Sequence, residues 1–110
     1  QVIQDGLVFD TVVALNDRAA IGALAAIKEN QLAMPISIYG IDGSPDMKVL
    51  LSTTDDIEGT VAQSPLKMWR QVMQVIECMR TGKSYKEQYK IPVEMIDKDN
   101  VDRYDVNGWQ

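Results

Sequence analysis

The chain contains no histidine, one cysteine and one phenylalanine in 110 residues. Without histidine there is no imidazole base, no Ser-His-Asp triad and no His-ligated zinc. A lone cysteine, Cys78, excludes an intrachain disulfide and leaves the compartment open. Positive charge is scarce, with 11 Lys and Arg against 16 Asp and Glu and a net charge of −5. Non-specific nucleic-acid binding rests on phosphate contacts that this balance does not supply. No apolar run approaches the ~20 residues of a membrane-spanning helix. Repeats and low-complexity segments are absent as well. The polar start QVIQDGL, with no Met and no signal peptide ahead of it, reads as a piece of something longer.

What is present is an ordinary globular balance, 45% hydrophobic and 25% charged, enough for one small domain. Residues 8–15, VFDTVVAL, are apolar and β-branched and predict a buried strand over about 11–15. Asn16 and Asp17 follow, either of which can cap a helix. The stretch 18–29 is rich in Ala and Leu, with Ala20, Leu24 and Ile27 at helical spacing and Ile21 beside them as a core face. Gly22 and Ala23 are small enough to bring that helix close to a sheet. Asn30, tolerant of the left-handed conformation, is its predicted stop.

A second strand is predicted over 36–41, ISIYGI, then Ser44-Pro45 as cap and first residue of a short helix, 45–51. STTDDIE, 52–58, reads as a polar loop and TVAQ, 60–63, as a third strand. Ser64-Pro65 repeats the cap signal ahead of a long helix, 65–81. Its apolar face carries Leu66, Trp69, Met73, Ile76 and Met79, and Thr81-Gly82 closes it. YKIPVEMI, 89–96, predicts a fourth strand, with Pro92 marking an edge or a crossing point. The alternation of about four strands and three helices argues for an α/β fold with a parallel sheet and flanking helices.

In such sheets ligands bind outside the carboxyl ends of the strands. The first strand ends at Asn16, the second at Asp42 and the third at Gln63, each just before a helix start. Adjacent parallel strands would gather these two amides and one carboxylate on one rim, a donor and acceptor set suited to a polyhydroxylated neutral molecule. Each also has a plainer reading. Asn16 can be only a helix cap and Asp42 only a turn-forming residue before Gly-Ser. Gln63 resists dismissal, since an amide buried in a short apolar strand needs partners.

Other chemistries lack their parts. Asp17, Asp42 and Asp46 do not make a magnesium site without paired acids on the first strand and a Lys after the third. IDGS lacks the glycine spacing and Lys of a phosphate loop. Asp55, Asp56 and Glu58 read as a solvated acidic loop. DKDN, 97–100, lacks the Gly and final Glu of a calcium loop. Cys78, inside a helix with no basic partner in sequence, reads as a small packing or surface residue. No metal and no cofactor is expected.

Four blocks in order, ALNDRAAIGALAAIKE, ISIYGIDGSPDMK, TVAQSP and IPVEMIDKDNV, resemble the periplasmic sugar-binding proteins of the ribose and galactose type, which serve ABC transporters. The similarity covers nearly the whole chain. It implies a type I periplasmic-binding-protein fold, in which two Rossmann-like lobes joined by a hinge close on a sugar, with this chain as the carboxyl-terminal portion. On that pattern residues 1–63 form the main part of the carboxyl-terminal lobe. Residues 64–92 cross the hinge and supply a helix of the other lobe, and 93–110 return as a strand and tail.

The same resemblance makes Asn16, Asp42 and Gln63 sugar-hydroxyl ligands and places the hinge at Gln63, Ser64, Ile91 and Pro92. Two spacings run about one residue longer than in the ribose protein, before Ile36 and around residues 52–59, both expected in loops. Gly59 stands where Ala is common. The implied function is capture of a monosaccharide for a membrane permease, with no catalysis and no nucleic acid, in the periplasm or outside the cell, membrane-associated if the protein carries a lipid anchor. The alternative is the effector domain of a LacI-type transcription regulator, which shares the fold but carries a GFDD-like segment in place of IDGSPD. The helix 65–81, lacking its sheet, is expected to expose Trp69, Met73 and Ile76 or to cover them by self-association.

Overall fold

The computed structural model describes residues 1–109. It contains β1 (Thr11–Val13), α1 (Asp17–Glu29), β2 (Ser37–Asp42), α2 (Pro45–Thr53), β3 (Ile57–Ala62), α3 (Pro65–Thr81) and β4 (Glu94–Asp97), followed by a 3-10 turn at Val101–Arg103. The strands lie in the order β1-β2-β3-β4. The first three are parallel, as the alternation predicts, but β4 runs antiparallel to β3. The reason lies in the connections. A parallel strand needs a crossover that carries its helix back over the sheet, and α3 instead leaves the sheet with none of its residues buried. Pro92 falls just outside β4, which is an edge strand.

Register sorts the sheet into two faces. Val12, Ile38, Gly40, Thr60, Ala62 and Ile96 share one face, and all but half-buried Val12 are buried. Both α1 and α2 cover this face, because Asp17 of α1 and Met47 of α2 both crowd Gly40. The core is therefore one-sided, built from Ala20, Leu24 and Ile27 of α1, Met47 and Leu51 of α2, and the strand residues beneath them. The opposite face, with Val13, Tyr39, Ile41, Val61 and Met95, holds no fully buried side chain. The buried first strand expected from VFDTVVAL is accordingly a three-residue edge strand, and Leu15 is 89% exposed.

Local chemistry explains the helix ends. Asn16 caps α1, accepting from the Ala19 N–H at 2.8 Å, and Ser44 and Ser64 cap α2 and α3 ahead of Pro45 and Pro65. Gly82 ends α3 in the left-handed conformation, with Lys83 N–H bonded to Cys78 C=O. Asn30 does stop α1, but with φ −87° and its side-chain amide donating to Ala26 C=O; the left-handed residue is Gln31. Gly22 faces open solvent and not the sheet. Strand β3 begins three residues earlier than expected, at Ile57. A bulge there pairs Ile38 with Ile57 but Tyr39 with Gly59, so Glu58 is the extra residue. Gly59 lies so close to β4 that a Cβ would come within 2.9 Å of the Met95 sulfur.

The tail is tied back through Lys48. This lysine is fully buried, and its ammonium donates to the carbonyls of Asp105 and Gly108. Burial lowers its pKa below 10.5, partly offset by the Asp105 charge. The DKDN segment makes a local turn, with Asn100 accepting from Asp97 N–H and Asp97 from Asp99 N–H.

Helix α3 stands apart. Trp69, Met73 and Ile76 are 59, 43 and 49% exposed. The radius of gyration is 18.0 Å, against about 13 Å for a compact domain of 100 residues.

Two outcomes follow for urea unfolding. Leu24→Ala should destabilise the fold by about 2–5 kcal/mol, whereas Met73→Ala in the monomer should stay within about 0.5 kcal/mol. Lys48 adds a pH effect. Its folded pKa lies below its unfolded value, so between the two the unfolded chain binds more protons and stability rises with pH. Lys48→Met should remove that contribution, measured as the difference between the two pH–stability curves just below 10.5.

Candidate functional site

The carboxyl ends of β1, β2 and β3 meet around one buried carboxylate. Asp17, the first residue of α1, is 1% exposed. Its Oδ2 accepts the backbone N–H of Ser44 at 2.7 Å and its Oδ1 accepts the Thr60 hydroxyl at 2.6 Å. The same Thr60 oxygen accepts the Gly43 N–H at 3.1 Å. One acid thereby joins the start of α1, the β2–α2 turn and the middle of β3. Its charge also lies at the amino end of α1, where the helix dipole favours it. Space for it comes from Gly40, where a Cβ would collide with Asp17 Oδ1 and stand 2.8 Å from Met47 Cε.

The turn so held contains Asp42, the last residue of β2, at φ 135°. This is sparsely populated backbone for any residue with a side chain, costing on the order of 1–3 kcal/mol. The Asp42 carboxylate is half-buried, and among the described residues no hydrogen bond engages it.

The residues expected at the rim are placed as follows. Asn16 lies three residues past β1, exposed, with Oδ1 committed to the helix cap and its amide N–H groups free to face outward. Gln63 lies one residue past β3 and is exposed, so the argument from a buried amide fails; the strand ends at Ala62, a residue earlier than expected. Because β1, β2 and β3 are neighbours and parallel, all three residues follow the same end of the sheet. Asp17 and Thr60 were not foreseen as a pair. The available signal was an acid directly after a cap residue, which has no need of a second cap.

Of the four positions expected at the hinge, Ser64 and Pro92 line a common cleft. The last β3–β4 pair is Ala62 with Glu94. Just beyond it the chain leaves through Gln63 and Ser64 and returns through Ile91 and Pro92, and Ser64 and Pro92 line one cleft of about 190 Å³ with Tyr104 and Trp109. A Lys67–Glu94 ion pair of 2.9 Å ties the first turn of α3 to β4. The hydrogen bond from Lys67 holds the Glu94 carboxyl below the usual carboxylate range, with the Tyr104 hydroxyl adding to it.

The chain is 31% identical over 101 residues to the D-galactose/methyl-galactoside binding periplasmic protein MglB of Haemophilus influenzae, covering 84% of this chain and 30% of that protein. The chain is of the type of a periplasmic sugar-binding protein fragment. A putative rhizopine-binding protein of Rhizobium meliloti is 28% identical over 97 residues, covering 87% of this chain and 31% of that one. The fold agrees. An ABC transporter solute-binding protein of Bacillus halodurans, solved with bound myo-inositol, superposes with a TM-score of 0.82 at 25% identity, over 93% of this chain and 35% of the other. The chain thus spans about a third of the length of the curated relatives it matches. No protein-family model matches it.

Gly40→Ala tests the buried acid. The added methyl should cost at least the upper end of the ~1–3 kcal/mol typical of overpacking, read as a lowered denaturation midpoint with an unchanged slope.

Proposed function

We propose that the chain is part of a solute-binding protein that captures a monosaccharide or similar cyclic polyol and hands it to an ABC transporter permease. The observation that carries this reading is the sequence of three parallel strand ends that bear Asn16, Asp42 and Gln63. In this role Asp42 accepts hydrogen bonds from ligand hydroxyls, while the outward amides of Asn16 and Gln63 donate and accept. A carboxylate left without a partner at a strained position is suited to a ligand that brings its own donors. The relatives' names support the ligand class: one is a D-galactose/methyl-galactoside binding protein, and a solved neighbour holds myo-inositol. Nothing in this chemistry calls for an activated nucleophile, and the protein binds without reacting.

In the same reading residues 64–92 form an excursion into a second lobe. Gln63, Ser64, Ile91 and Pro92 act as hinge, and the bare face of α3 packs on that lobe's sheet. The protein then works outside the cytoplasmic membrane, where a permease receives the sugar, and closes on its ligand by a hinge motion.

The test is calorimetry on the full-length protein with a panel of monosaccharides and polyols that includes D-galactose and myo-inositol. Loss of charged hydrogen bonds in Asp42→Ala should weaken the best ligand about 10- to 100-fold. Parental affinity in that variant would remove Asp42 from the site.

A further inference from the structure

We propose that Asp17 is a positioning residue for ligand binding: through Thr60 and the Gly43–Ser44 peptides it holds Asp42 at positive φ and so aims the Asp42 carboxylate at the rim. This rests on the sugar-binding reading for its functional meaning, but its physical content stands on geometry. Asp42 sits at φ 135° and Gly43 at φ 69°. Glycine at 43 adopts its angle freely; Asp42 does not. An unfavourable backbone angle persists only where the surroundings impose it.

The two N–H groups that follow Asp42 are the ones held. Gly43 N–H is bound by the Thr60 oxygen, and Ser44 N–H by Asp17 Oδ2. Asp17 Oδ1 accepts the Thr60 proton, which leaves the Thr60 lone pairs directed at Gly43. Both peptides after the strained residue are therefore pinned to a single buried acid. With that acid removed, Ser44 N–H loses its acceptor and the Thr60 hydroxyl its anchor; the Thr60–Gly43 bond and the Asp42–Ala62 pairing that remain are too little to hold the strained angle, so Asp42 relaxes to negative φ and its side chain swings off the rim. Glycine would take the same angle without strain, so a carboxylate at position 42 is kept at the expense of stability.

Three arms test this. In the 110-residue chain, the three-bond HN–Hα and one-bond Cα–Hα couplings of Asp42 separate positive from negative φ. Asp17→Asn and Thr60→Val should move them to the negative-φ range well below the melting temperature, while Thr60→Ser, which keeps the hydroxyl, should retain the parental values. Asp42→Gly should raise the melting temperature. In the full-length protein, Asp17→Asn should weaken D-galactose binding at least tenfold while the protein stays folded. Parental Asp42 couplings in folded Asp17→Asn or Thr60→Val overturn the proposal. So does an Asp42→Gly melting temperature no higher than the parent's, a reading that needs no destabilised variant. A parent that binds neither D-galactose nor any other member of the panel strikes the sugar-binding reading and leaves the coupling result standing.

Discussion

The rim of this sheet is organised by a carboxylate that never reaches solvent. Asp17 is an acceptor with two well-matched donors, one a backbone amide and one a hydroxyl, and a buried acid without them would be strongly unfavourable. Its location imposes conditions on residues far away in sequence. Position 40 must be glycine-sized, position 60 must carry a hydroxyl, and the turn at 43–44 must present both N–H groups inward. The helix α1, the β2–α2 turn and β3 can each form locally, but their mutual placement depends on this one group. Because the conditions meet at the carboxyl ends of the strands, the same constraint that assembles the fold also shapes the surface where α/β sheets bind ligands.

A second theme is asymmetry of burial. One face of the sheet carries both helices and the whole core, while the other keeps Val13, Tyr39, Ile41, Val61 and Met95 only partly covered. Helix α3 is apolar along one stripe and buries none of it. The chain spans about a third of the length of the curated relatives it matches.

Much of this was legible in the residues. Cap-plus-proline pairs marked α2 and α3 correctly, and Ala20, Leu24 and Ile27 named the core face of α1. The parallel order of β1 to β3 followed from alternation alone. What escaped was set by tertiary geometry. Composition cannot distinguish a buried β-branched strand from an edge strand, which is why VFDTVVAL points to a burial that β1 lacks. The polar letters of STTDDIE concealed the start of β3, where the bulge at Glu58 lets a charged residue sit inside a ladder. The reversal of β4 depends on where α3 goes, which its own sequence does not state. That Asn16, Asp42 and Gln63 follow the same end of the sheet was legible from the alternation of strands and helices, though Asn16 and Gln63 lie beyond their strands. The role of Asp17 was not, because its partners lie 27 and 43 positions away.

The antiparallel closure of β3 on β4 has an entropic consequence. Everything between Ala62 and Glu94, α3 included, is one excursion whose two ends are stitched together at one corner of the sheet. The free energy of closing a flexible loop grows only with the logarithm of its length, by roughly 0.6 kcal/mol per doubling. The sheet is therefore almost indifferent to how much chain is interpolated at that point, provided the corner itself stays paired. A fold with such a seam can acquire, lose or exchange an entire neighbouring body without rebuilding its own core.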